Sequence, residues 1–345
     1  MIELKQDKLN FSFPEVHPSA KVKITFQRTL RIPDDGDDYP LPPGLGSFPL
    51  VHTDDYAKRV PASWAEHGGV VLPMYQSEAM WIHFEGHYDA DRGVNYPFAI
   101  KVATGKINAV SGLSWEQGLN RTPRQDYVVV PRQPWLDGYC VEKGVIRQFV
   151  AMPLGGGYTA EEQVSGKAEH GGLQIMAIPM KREVFEKRFP VVPRARYSFD
   201  TVRYSSRPCA KVFETPSMGL APGGRMKQEI YEDTYDLNDW DLDHNSRCFV
   251  HIANSMVWRQ ITGRNPPTVP PTAEEYNRRG LPWYDYYSDV KAIDGSLTLA
   301  CMQSVAEIGK EKGATPLPEN QGVLPGLVID IHEKLTKDQV IEFLG

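Results

Sequence analysis

His83, Glu85 and His87 stand at alternate positions, so a strand through them would put all three side chains on one face. Imidazoles and carboxylates are metal ligands. On an extended strand the outer two lie roughly 13 Å apart, so one ion reaches both only if the chain bends at Gly86. The spacing matches neither HExxH nor an HxH pair, and it predicts no metal centre. The acidic run from Asp236 to Asp243 packs oxygen ligands as calcium loops do. Counted from Asp239, an EF-hand would need Gly where His244 stands and Glu where Val250 stands. That template fails. Asp239, Asp241 and Asp243 remain as candidates for an irregular calcium loop, with a solvated acidic turn as the simpler reading.

Three consecutive glycines, Gly155, Gly156 and Gly157, precede Tyr158 and Thr159. Such a loop lets a backbone approach a ligand, and a following helix N-terminus attracts anions. Neither the P-loop ending nor GxGxxG spacing is present. The plainer expectation is a tight turn capped by Thr159. For nucleophilic chemistry, Gly112-Leu113-Ser114-Trp115-Glu116 lacks the last glycine of GxSxG. The contexts of Cys140, Cys209, Cys248 and Cys301 show no activating neighbours. No cofactor fingerprint appears. Two aromatic stretches complete the candidates: the turn Gln133 to Gly138, with Trp135 and Asp137, and the run Trp283, Tyr284, Tyr286 and Tyr287. Exposed, these rings would stack on sugars or anchor a partner. Buried, they are core, which is the simpler expectation.

The elements that must position these groups are mostly strands. Lys21 to Phe26 and Ala79 to Glu85 alternate apolar and polar residues. Phe98–Ala103 and Lys106–Val110 flank Thr104-Gly105 as a hairpin. Tyr127–Val130, Val145–Met152, Leu173–Ile178 and Cys248–Ile252 continue the series. Helix caps are predicted at Thr159, at Asn254 or Ser255, at Thr272 and at Thr336. Strands without regular helical crossovers argue against a parallel doubly wound sheet. The expected fold is α+β, mostly β: an antiparallel sheet or sandwich core with a few short helices, mainly in the C-terminal third. The charged, proline-punctuated stretch 182–208 is the best boundary. It separates a β-rich core, 1–181, from an α+β part, 209–345, packed on that core or continuous with it.

Composition excludes some partners. The net charge of −6 and the absence of a Lys/Arg cluster argue against nucleic acid. No apolar run is long enough to span a bilayer, and charges interrupt the N-terminus at once. The cysteines show no disulfide spacing, which fits a reducing cytoplasm.

Several phrases occur together: Arg28 to Asp34, Leu41 to Gly46, Glu78 to Trp81, Gln125 to Pro131, Gln133 to Gly138 and Arg147 to Gly155. They resemble a family of soluble bacterial and fungal proteins to which no activity is attached. The resemblance spans about residues 20–290. It implies a free-standing soluble protein and supplies no catalytic residue.

Two functions follow as expectations. The first is a non-catalytic β-rich binding or self-assembling protein, a homo-oligomer with an unidentified small ligand. The alternative is a carboxylate-dependent hydrolase acting on a carbohydrate or other small polar substrate, with two carboxylates roughly 5–9 Å apart in a deep polar pocket.

Overall fold

Along Lys8–Ser12 and Ala79–Gly86 alternation of apolar and polar residues becomes alternation of more and less buried ones, whereas Val70–Met74, Phe98–Thr104 and Leu173–Pro179 are buried throughout. The computed structural model describes residues 1–191, 217–288, 290–317 and 320–332. In chain order the strands are β1 (Ile2–Lys5), β2 (Lys8–Ser12), β3 (Lys21–Thr29), β4 (Asp38–Tyr39), β5 (Gly44–Ser47), β6 (Val51–His52), β7 (Val70–Met74) and β8 (Ala79–Gly86). They continue as β9 (Tyr88–Asp89), β10 (Val94–Asn95), β11 (Phe98–Thr104), β12 (Ile107–Asn108), β13 (Val128–Val130), β14 (Trp135–Leu136), β15 (Gly138–Glu142), β16 (Val145–Pro153) and β17 (Leu173–Pro179). The last are β18 (Ser217–Lys227), β19 (Ser246–Asn254), β20 (Trp283–Tyr287) and β21 (Val328–His332). Among the described residues the α-helices are α1 (Ala62–His67), α2 (Ala160–Ser165), α3 (Arg182–Arg188), α4 (Ser255–Thr262), α5 (Ala273–Arg278), α6 (Leu297–Ala300) and α7 (Val305–Glu311). The longest, α4, has eight residues. The fold is therefore α+β and mostly β, and several of its helices lie in the C-terminal part. Among the described residues no helix is long and apolar enough to cross a membrane.

Among the described residues seventeen strands form one sheet in which most pairs are antiparallel. Its pairings run β8–β16–β18–β19–β17–β11–β13. From β13 the chain continues through residues 131–134 into β14, which pairs back onto β8. Through that covalent link the circuit returns to β8. Edges survive outside the circuit. Among the described residues β1 pairs only with β2, β6 only with β7, and β21 only with β20. The segment 182–208 begins as α3, and 192–208 lies outside the described residues. Strands on its two sides are direct neighbours, since β17 pairs with β19 and β16 with β18.

Inside lie Phe11, Phe13, Phe26, Phe98, Tyr127, Tyr139, Phe149 and Trp240, each with at most 1% of its surface exposed. Two buried ion pairs tie loops to this core. Lys101, itself buried, reaches Asp126 at 2.7 Å and the Glu116 and Gly118 carbonyls at 2.9 Å. Arg28 reaches Glu78 at 2.7 Å and also the Thr268 carbonyl in the proline-rich loop after α4. Breaking one partner of such a pair strands a buried charge, which is the costly outcome.

Local cues act where expected. Thr159 and Thr272 each form a capping box, with Glu162 and Glu275, and Asn254 caps α4 ahead of a left-handed Gly263. Gly105 turns β11 into β12. The Thr336 cap and Cys209 lie outside the described residues.

Candidate functional site

β8 carries Met80, Ile82 and Phe84 inward, so Trp81, His83 and Glu85 face outward. Its neighbours extend that outer face in rows. Gln27 stands opposite Trp81, Thr25 opposite His83 and Lys23 opposite Glu85. On the other side of β8, Trp135 stands opposite His83. The face is therefore polar at its centre, with Trp81 and Trp135 at its margins. Tyr286 packs edge-on against Trp135, with ring centroids 4.9 Å apart.

At its lower end the face opens into a cleft of about 520 Å³. Lys23, His83, Glu85, His87, Tyr88 and Asn95 contribute its polar groups, and Pro131 and Pro134 form a wall. Lys23 donates to Glu85 Oε1 at 2.7 Å, and Lys8 lies 3.9 Å from the same carboxylate. The Lys23 hydrogen bond holds the Glu85 carboxyl below its usual range. Burial pushes His83 down, partly opposed by Glu85. Burial also lowers His87, helped by Lys21 and Lys23. Both imidazoles are thus kept neutral, and each offers one donor and one acceptor. Tyr88 is half exposed at the rim.

The sequence grouped His83, Glu85 and His87 and rejected them as a metal centre. The structure brings them to one cleft beside Lys23. Among the described residues no three His, Cys, Asp or Glu side chains come together in a way that could hold a metal ion. The acidic loop is committed to protein partners. Asp239 pairs with Arg188 at 2.8 Å and accepts from the Asp236 N–H, and Asp241 pairs with His244 at 2.9 Å. Asp243 is exposed.

The two aromatic stretches meet where Tyr286 packs on Trp135. Trp283 is fully buried, with Nε1 donating to Asn277 at 2.7 Å. Tyr284 and Tyr286 are partly buried, and the side chain of Tyr287 lies outside what is described. Asp137 is also buried rather than ligand-facing. Gln228 clamps it, donating to Oδ2 at 2.5 Å and accepting from the Asp137 N–H at 3.0 Å. With no cation to offset it, burial pushes the Asp137 carboxyl up to about 7. Glu229 lies beyond Gln228, near Trp135 and Tyr286, and burial raises it too. The void there is about 10 Å³, far below the roughly 300–1,000 Å³ of small-ligand pockets.

The glycine loop is a turn. Gly155 and Gly157 take left-handed φ of 90° and 73°, while Gly156 does not. The Gly157 N–H is spent on Glu162 at 2.7 Å. Lys312 bonds the Gly156 carbonyl and sits 4.3 Å above the Tyr158 ring.

No family model, curated protein or solved structure matched the chain, so the cleft is judged by its geometry alone. Sequence inspection missed Lys23, Tyr88 and Asn95. Lys23 is separated from Glu85 by 62 positions, and only the register of β3 against β8 joins them.

Proposed function

We propose that the protein binds a neutral polyhydroxylated ligand, a saccharide, on the outer face of β3, β8 and β14, and leaves it chemically unchanged. The cleft carries this reading. It sets two neutral imidazoles, an amide and a Lys23–Glu85 pair beside an exposed Tyr88 ring. Sugar hydroxyls donate and accept at once, and sugar C–H faces stack on aromatic rings. Binding fits better than hydrolysis because the glycosidase acid must be a carboxyl raised toward neutrality. The carboxylate in this cleft, Glu85, is instead lowered.

Calorimetry and thermal-shift assays with a panel of neutral mono- and oligosaccharides test this. Saturable binding is expected for at least one. His83→Ala and Tyr88→Ala should each weaken it by about tenfold, or 1.4 kcal/mol. No response to any saccharide at ~10 mM would defeat the proposal, since millimolar affinity is still about −4 kcal/mol. Release of reducing sugar would favour the hydrolase instead.

Self-association is a second proposal, favoured by β21. Among the described residues this strand is paired on one edge, and it carries Val328, Ile329 and Ile331 at 41–42% exposure. An unpaired apolar edge is a template for another chain, here a second copy. The free thiols Cys140, Cys248 and Cys301 support placement in a reducing compartment, the cytoplasm.

A further inference from the structure

A second groove, of about 440 Å³, lies between the N-terminal hairpin and β19. Ile2, Leu4 and Leu9 of β1 and β2 line one side, and Val70, Cys248 and Phe249 line another. Its polar groups are Arg247, His52, His67 and a single carboxylate, Asp54. Arg247, Phe249 and His251 alternate along β19 and so share a face. They form a stack. The Arg247 guanidinium lies 4.9 Å from the Phe249 centroid, and the Phe249 and His251 rings are 6.4 Å apart and 9° from parallel. His251 in turn stacks on Trp64 at 4.8 Å. His67 meets Phe249 edge-on at 4.9 Å.

His67 Nδ1 lies 2.6 Å from the Ser63 carbonyl, which can only accept, so the proton sits on Nδ1 and Nε2 is left for another partner. Arg247 is exposed and, among the described residues, has no ion-pair partner. A guanidinium laid on an aromatic ring keeps its planar fork for a two-oxygen anion. Arg247 is the cation lining the groove, and it is not paired with the lining carboxylate, Asp54, among the described residues. The apolar wall favours a ligand with a hydrocarbon body. The volume falls within the roughly 300–1,000 Å³ of small-ligand clefts.

We infer that this groove binds a small amphipathic monocarboxylate, with its carboxylate on Arg247 and its apolar body against Ile2, Leu4, Leu9 and Phe249. The site is separate from the proposed saccharide cleft and does not depend on it.

The test is calorimetry on the full chain with octanoate and phenylacetate as probes, octanol as the uncharged control and inorganic phosphate as the bare anion. At least one carboxylate should bind, with octanol and phosphate at least tenfold weaker. The preferred probe tells an aliphatic from an aromatic source. Arg247→Gln should weaken the carboxylate about tenfold or more, and Arg247→Lys less, because lysine keeps the charge and loses the fork. Leu4→Glu should weaken it as well, with thermal melts confirming that each variant is folded. Failure of both carboxylates to bind, equal binding of phosphate, or unchanged affinity in folded Arg247→Gln would each overturn the inference.

Discussion

Two buried titratable residues act in opposite directions on acid stability. Burial lowers His251 to about 4 from its ordinary 6.5, while its Nε2–H donates to the Gly68 carbonyl at 2.9 Å. Its stabilising contribution is complete above pH 6.5 and is lost as pH falls toward 4, by roughly 3 kcal/mol. Asp137 is raised from 3.8 to about 7, so its contribution is complete below 3.8 and is lost as pH rises through 7, by roughly 4 kcal/mol. Between about pH 4 and 6.5 the unfolded chain gains a proton at one site and loses one at the other, and the two slopes cancel. Urea melts across pH should therefore be flat in that window for these two groups. Asp137→Asn should expose the histidine slope, with stability falling as pH drops, and should stabilise the protein at pH 8. His251→Phe should expose the opposite slope. Parallel curves for all three proteins would show that neither group titrates as described. Neither behaviour was legible in the sequence. Asp137 stood out there as part of an aromatic turn, and its burial follows from Gln228, 91 positions away. His251 was one polar residue in an alternating strand, and only Trp64 and Gly68 make it a buried one.

At the scale of elements, what was readable was what is local. Capping boxes at Thr159 and Thr272 and the turn at Gly105 each rest on contacts a few residues apart. The box that Ser304 forms with Glu307 and the cap at Ser296 have the same form, but they lie in a stretch with little apolar periodicity to draw attention to them. The candidate cleft was half legible. Its two β8 residues, His83 and Glu85, and His87 just beyond the strand were visible as a pattern, whereas the partners supplied by β3 and by the β9–β10 hairpin depend on register. β21 gives this scale its prediction. Ile329→Lys with Ile331→Lys places charges on the exposed edge, a device natural edge strands use against pairing. Light scattering over a dilution series should find the wild type above the 38.9 kDa monomer mass and the double variant at it. A wild type that stays at monomer mass when concentrated would remove the self-association proposal, and so would a variant that still assembles.

For the whole molecule, the interleaving of strands matters more than the number of segments. β17 lies between β11 and β19, and β18 lies between β16 and β19, so each side of the 182–208 segment completes the other. Residues 1–191 and 217–345, produced separately, should each give poorly dispersed amide spectra and expose apolar surface, and co-expression should restore a soluble pair. Well-dispersed spectra from either piece alone would establish two independent domains. The same interleaving sets a schedule for synthesis. β7 takes β6 on one edge and runs parallel to β19 on the other, where Val70 to Met74 pair with Val250 to Asn254. All five β7 residues are buried in the finished protein. On the ribosome, that apolar strand emerges long before its partner exists. At about 5–20 residues per second, the wait is roughly ten to thirty seconds. For that interval the nascent chain carries an unpaired hydrophobic edge, which makes it a natural client for a chaperone that shields extended segments.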